Sequence, residues 1–291
     1  MRIETYIAPA SIDEAITALA SEGAIPFAGG TDIIPQTQAG RDVGIVVDVK
    51  RLPALNVIER RADSWIIGAG VPCHRLSSRD DLRADLPGLV EGAALIGSTQ
   101  IQGRATLGGN VGNASPAADT VPALLANHAV VEVIGPEGSR TVPVSELITG
   151  PGSTSLGRAE FMVRFVVPTL AGSADAALRF TPRTEMDIAV ANAAVRIVLD
   201  PDGTCLGADV AIGGVGPRAL LVDEAGAVLV GLTEPADDAL ASVADACRRA
   251  ASPIDDKRGT AEFRRHAVGV LASRATRIAW QRASARRGVE S

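Results

Sequence analysis

Two glycine pairs constrain this chain more than any other feature. They sit in Ala28-Gly29-Gly30-Thr31-Asp32 and Thr106-Leu107-Gly108-Gly109-Asn110. Each pair has a hydroxyl or carboxamide residue beside it, and neither five-residue core holds a lysine or arginine. Glycine allows a backbone turn at positive φ and lets N–H groups approach a ligand closely. Successive amides in such a turn form a nest for anionic oxygens. Two converging nests can hold the two phosphates of a pyrophosphate from opposite sides, which points to a dinucleotide. A P-loop is excluded, because its Gly-Lys-Ser/Thr signature is missing.

At 291 residues the chain has room for two domains. It has only 2 Trp, 1 Tyr and 5 Phe, so a ligand must rest mainly on backbone and aliphatic groups. The formal charge of −6 argues against a nucleic-acid partner. No run approaches the roughly 18 apolar residues of a membrane span. The opening Met1-Arg2-Ile3-Glu4-Thr5-Tyr6 lacks a signal-peptide core, so a cytoplasmic location is expected. Cys73, Cys205 and Cys247 stand apart from one another. They cannot supply the four thiolates an iron–sulfur cluster usually takes, and they lack zinc spacing, so they read as packing thiols. His74, His128 and His266 have no metal-ligand spacing. No metal ligand is therefore assigned. No Ser–His–Asp order or paired-carboxylate motif stands out, so no catalytic residue is assigned either.

The first unit reads strand–helix–loop–strand. Ser11-Ile12-Asp13-Glu14 is a capping box, Ile12, Ala15, Ile16 and Leu19 follow with helical spacing, and Gly23 is a stop. A short strand runs through Ile25-Pro26-Phe27 into the first glycine pair, and residues 45–49 form an apolar strand. Strands are also expected at 65–70, 130–134, 161–167, 188–199 and 208–214. A helix is expected at 121–126, with two more at about 235–250 and 260–286. The last carries Phe263, Ala267, Val270, Leu271 and Ile278 on one side, and its arginines read as a solvated face. The small, polar stretch Ala171-Gly172-Ser173-Ala174-Asp175 suggests a domain boundary. Asp119, ahead of Thr120-Val121-Pro122, suits a helix N-cap. Asp32 reads either as a cap or as a ligand contact.

With both motifs in hand, the chain resembles the flavin-binding medium subunit of molybdenum hydroxylases, the family of aerobic carbon monoxide dehydrogenase and the flavin domain of xanthine dehydrogenase. The resemblance spans nearly the whole chain. It rests on the two glycine motifs, on Ala114-Ser115-Pro116-Ala117-Ala118-Asp119 downstream, and on the segment from Arg179 to Ala189, in that order. It implies an α+β fold: a two-lobed FAD-binding domain at 1–172, with lobes at about 1–55 and 56–172, followed by a smaller α+β domain at 176–287.

The resemblance also implies a site. Ala28, Gly29, Gly30, Thr31, Asp32 and Ile33, with Thr106, Leu107, Gly108, Gly109 and Asn110, would lie against the FAD pyrophosphate. Asp119 matches a family carboxylate at the adenosine end. Phe161 and Met162 match apolar adenine-side residues, and Ile96-Gly97 match another contact. Arg179 falls where some members have lysine. Two departures stand out. Ala177 replaces a tyrosine that many members place near the flavin ring, which leaves that face open or covered by another group. The cysteine count excludes the branch with an extra iron–sulfur cluster in this subunit. The implied role is electron transfer. A large molybdenum-cofactor subunit would oxidise the substrate, and a small subunit with two [2Fe–2S] clusters would pass electrons to this FAD, in a dimer of heterotrimers. The alternatives are a stand-alone FAD oxidase or reductase and a flavin-free binding or maturation protein of the same fold.

Overall fold

The computed structural model describes residues 3–183 and 186–287. Met1, Arg2, Thr184 and Glu185, which entered the sequence readings, lie outside the described residues. Three main sheets organise the chain. The first is parallel, with Val43–Asp48 between Ile3–Ile7 and Ala24–Phe27. Parallel neighbours need a crossover, and the helix Ile12–Leu19 supplies one. Its capping box is shifted: Ser11 Oγ accepts from the Glu14 amide at 3.2 Å, but Glu14 reaches the amide of Ala10. Ala24–Phe27 is an edge strand, as is Ile3–Ile7, and the loop after Ala24–Phe27 meets Arg104 at the Gly29 carbonyl.

The second sheet is antiparallel, in the order Ile58–Arg60, Ser64–Gly68, Phe161–Pro168, Val130–Gly135, Gly138–Pro143. One side of it packs against a group of short helices, including Pro87–Ala94, Leu107–Gly112 and Val121–Ala126. Trp65, Ile67, Leu89, Leu107, Leu124 and Phe165 form the centre of this core and are fully buried. The aliphatic bias of the composition thus becomes a core with few rings.

The third sheet is an antiparallel meander of Ser173–Phe180, Ala191–Leu199, Cys205–Gly213 and Leu220–Leu221. The helices Asp237–Ala250 and Ala261–Arg287 pack with it. The mixture of one parallel and two antiparallel sheets with flanking helices is the expected α+β class. Cys73, Cys205 and Cys247 are buried and unpaired.

The final helix differs from its sequence reading. Its buried side runs through Arg264, Ala267, Val268, Leu271, Ala272, Ala275, Ala279, Trp280 and Ala283, whereas Phe263 is exposed and meets Phe180 edge-on. Several of its arginines do not form a solvated face. Arg264 is buried, bonds the carbonyls of Val190 and Gly214, and pairs with Asp256. Arg282 bonds the Asp175 carbonyl at 2.9 Å and pairs with Glu91, and Arg286 reaches the carbonyls of Ser173, Ala84 and Asp85. These side chains fasten the last helix to the helix Pro87–Ala94 and its neighbours. No described helix is long and apolar enough to cross a membrane.

Candidate cofactor site

A cavity of about 760 Å³ opens between the first sheet and the helical side of the second, within the roughly 300–1,000 Å³ usual for small-molecule sites. One wall is the edge strand, the first glycine loop and the start of the next helix. The other is Ala105, Thr106, Gly108, Gly109, Asn110, Gly112 and Asn113, with Phe161 and Met162 deeper in. The structure thus brings Ala28, Gly29, Gly30, Thr31, Asp32 and Ile33 together with Thr106, Gly108, Gly109, Asn110 and Met162 around one space. Ile96 also lines it.

The first loop turns at Gly30, whose φ is +77°, a conformation that strains any residue with a side chain. A Cβ there would also lie 2.6 Å from the Phe27 ring. Gly29 packs on backbone, so a Cβ would lie 2.1 Å from the Arg104 carbonyl oxygen. Among the described residues, the amides of Gly29, Gly30, Thr31 and Asp32 donate to no protein acceptor. Gly29, Gly30 and Thr31 are half-buried, where amides rarely stay unpaired, so these free donors, with that of the exposed Asp32, are available for a ligand.

The second loop is built differently. Gly108 and Gly109 lie inside the helix Leu107–Gly112, whose N-cap is Thr106. Thr106 Oγ1 accepts from the Gly109 amide at 3.0 Å, while the Leu107 and Gly108 amides bond the carbonyls of Val71 and Ala69. These amides are already engaged. The Thr106 hydroxyl can still donate its own proton. Leu107 is fully buried in the core and does not line the cavity. Asn110 Oδ1 accepts from the Thr120 hydroxyl at 2.6 Å, which ties this loop to the following helix.

Asp119 and Arg179 also stand outside the lining and form a pair of their own at 2.9 Å, with side chains 12% and 5% exposed. Asp119 does not cap the helix Val121–Ala126, whose N-cap is Thr120. Its Oδ2 takes the Arg179 bond, and its buried Oδ1 has no partner. Burial pushes the Asp119 carboxyl up to about 6, against the lowering pull of Arg179. A buried acceptor left open in this way is costly unless a donor meets it. Asp32 occupies the N-cap position of the helix Ile33–Gln38 but makes no capping bond. Its surface is largely exposed, yet the protein around it desolvates its carboxyl and raises it. Ala177 is buried, and its amide donates to Glu91 Oε2 at 2.9 Å. The backbone at that position is therefore covered.

Several cavity residues carry no motif signal. Gln36, Arg41, Arg158 and Glu160 line the cavity, as does the stretch from Ser21 to Pro26. Arg104 lies just ahead of the second glycine motif, and its guanidinium donates to the Gly29 carbonyl at 3.3 Å. Among the described residues, no histidine, cysteine, lysine or tyrosine lines the cavity. No group of three or more His, Cys, Asp or Glu among the described residues has metal-binding geometry.

The fold and this cavity define a dinucleotide-binding α+β protein. The chain belongs to the family of the FAD binding domain in molybdopterin dehydrogenase, whose model matches residues 1–170, and the CO dehydrogenase flavoprotein C-terminal domain follows at residues 176–279. It is 33% identical over 284 residues to the carbon monoxide dehydrogenase medium chain of Afipia carboxidovorans, covering 96% of this chain and 97% of that one. It is 30% identical over 281 residues to the 6-hydroxypseudooxynicotine dehydrogenase complex subunit alpha of Paenarthrobacter nicotinovorans, covering 96% and 95%. The structure superposes on reconstituted CO dehydrogenase from Oligotropha carboxidovorans with a TM-score of 0.92 at 30% identity, covering 97% of this chain and 99% of that one. The cofactor is FAD, and the chain is a flavoprotein subunit of the carbon monoxide dehydrogenase type of oxidoreductase. The residues present fit that cofactor: a run of free amides and a cavity of matching size.

Proposed function

We propose that this chain is the electron-transfer subunit of a molybdenum hydroxylase complex. Electrons arrive from the [2Fe–2S] clusters of a small partner subunit and leave to an external acceptor, while a large molybdenum-cofactor subunit oxidises the substrate. A dimer of such heterotrimers in the cytoplasm goes with this reading, as does a boundary at 171–175 between an FAD-binding domain and a C-terminal domain. Bound FAD supplies a store for two electrons, and the protein supplies binding, orientation and electrostatics.

The free amides of Gly29, Gly30, Thr31 and Asp32 carry the proposal. Hydrogen bonds to ionised phosphate oxygens are the strong kind, so these donors hold a pyrophosphate without a lysine. The Thr31 and Thr106 hydroxyls add donors from the two walls. Arg179 holds the Asp119 carboxylate, which lies outside the cavity lining. Phe161 and Met162 give the cavity an apolar end.

The test compares the FAD-loaded chain alone with the chain co-expressed beside its molybdenum and iron–sulfur partners. Alone, it should take electrons from a chemical reductant and pass them to a dye. It should leave aldehydes, purines, carbon monoxide and N-heterocycles untouched. With its partners it should co-elute and oxidise one such substrate. Turnover of an organic substrate by the single chain would replace this reading with a stand-alone flavoenzyme.

A further inference from the structure

Neither residue of the first glycine pair has a Cβ, so the Gly29-Gly30 peptide is lightly restrained by its own chain. Turning such a peptide over exchanges the places of its carbonyl and its N–H, which is how type I and type II turns differ. In a trans peptide the C=O and N–H point in opposite directions. The side of the loop that shows the Gly30 amide in one state would therefore show the Gly29 carbonyl in the other. The amide is a donor and attracts a phosphate oxygen. The carbonyl is an acceptor and repels it. Anion binding by this loop thus depends on which state the protein holds.

Arg104 holds one of the two. Its Nε and Nη2 both donate to the Gly29 carbonyl at 3.3 Å, across 75 positions of sequence. Among the described residues, the guanidinium has no other hydrogen-bond acceptor. Bonds from a charged donor are the strong kind. The Arg104 backbone is itself anchored, since the amides of Arg104 and Ala105 both donate to the Ile101 carbonyl, at 2.9 and 2.7 Å. Arg104 is exposed and does not line the cavity, so its contact with that space runs through the peptide it holds. At the other end of the same peptide, Gly30 does line the cavity, and its amide has no protein acceptor.

We propose that Arg104 is the positioning residue of the first glycine loop: by holding the Gly29 carbonyl, it keeps the Gly30 amide presented as a donor for the FAD pyrophosphate. This deepens the reading that the loop binds that group, and rests on it. Neither five-residue glycine core holds a basic residue, yet a basic residue from the neighbouring segment decides which way the first core faces. Without Arg104 the peptide samples both states, and only the fraction with the amide outward binds. A loop that is competent one time in ten binds about ten-fold more weakly.

The test uses the full chain and reads both the peptide and the affinity. The sequence has three glycine pairs, Gly29-Gly30, Gly108-Gly109 and Gly213-Gly214. Glycine labelled at both the carbonyl carbon and the amide nitrogen therefore gives three carbonyl-to-amide NMR correlations in the flavin-stripped protein, and Gly30→Ala identifies the first by its loss. Arg104→Met keeps an unbranched side chain and removes the donors. It should shift the Gly29-Gly30 correlation and weaken FAD binding about ten-fold. The Gly213-Gly214 correlation, from the third sheet, should stay in place and report a folded chain. Glutamine carries its Nε2 as many bonds from the backbone as arginine carries its Nε, so Arg104→Gln keeps a donor without the charge. It should restore the wild-type correlation and bind FAD within about three-fold of wild type. Arg104→Gln as weak as Arg104→Met would mark a charge acting at a distance and overturn the positioning role. So would an unmoved Gly29-Gly30 correlation or wild-type affinity in Arg104→Met. A wild-type chain that binds no FAD, with the spectral shifts as expected, would overturn the pyrophosphate reading and the proposal with it, while leaving the Arg104 contact itself in place.

Discussion

Asp119 is a nearly buried carboxyl outside the cavity lining, paired with Arg179. Its carboxyl is raised from 3.8 to about 6 by burial. The native protein therefore binds more protons than the unfolded chain between roughly pH 4 and pH 6, and this group's contribution to stability falls as pH rises through that window. Asp119→Asn removes the titration. The stability difference, wild type minus variant, should fall by at most about 3 kcal/mol from pH 4 to pH 6.5 and stay level above. Urea unfolding of the flavin-stripped proteins at a series of pH values checks this, and a flat difference would show that the carboxyl is not raised. Asp119 was visible in the sequence because it closes a motif. Its pairing with Arg179 was not, because that pair forms only when a strand of the third sheet lies beside the loop ahead of the helix Val121–Ala126. Gln36 gave no signal at all. A glutamine on a short helix becomes notable only when Asn113, 77 positions away on the other wall, supplies its acceptor.

At the scale of elements, the two glycine motifs look alike in sequence and do different work in the structure. The first is a true turn with a positive φ and free amides. The second is a helix start whose amides are already bonded within the protein. Sequence spacing separates these poorly, because a glycine pair records only that side chains are unwelcome there and not why. At Gly30 the reason is conformation. At Gly108 it is the Ala69 carbonyl, 2.7 Å from where a Cβ would stand. The final helix makes the same point. Its length was legible from periodicity, but its arginines read as a solvated stripe because their acceptors lie in distant segments. Arg282 joins Glu91 and the Asp175 carbonyl, with side-chain exposures of 33% and 26% for the ion pair. Partial exposure screens the pair, so Arg282→Ala should cost about 1 kcal/mol. Denaturant unfolding would check this, with Glu91→Ala and the double variant closing the cycle. Strictly additive losses would show that the two side chains do not interact.

Across the whole molecule, the α+β class was legible through the family resemblance that the order of the motifs carries. The way the sheets are fastened was not, since it depends on buried groups such as Asp175. That carboxylate is fully enclosed and accepts from the Gly88 amide and the Asn127 carboxamide, each of which precedes it by tens of residues. The resulting molecule holds a cofactor cavity between its first two sheets. The proposed role of the first glycine loop is to bind a pyrophosphate through its free amides, faced by the second loop. Calorimetric titration of the flavin-stripped chain with FAD and, separately, with FMN tests it most directly, since FMN carries the same ring system with a single phosphate and no adenosine. One FAD bound per chain, with no measurable uptake of FMN at the same concentrations, is the expected result. FMN binding as tightly as FAD would contradict it.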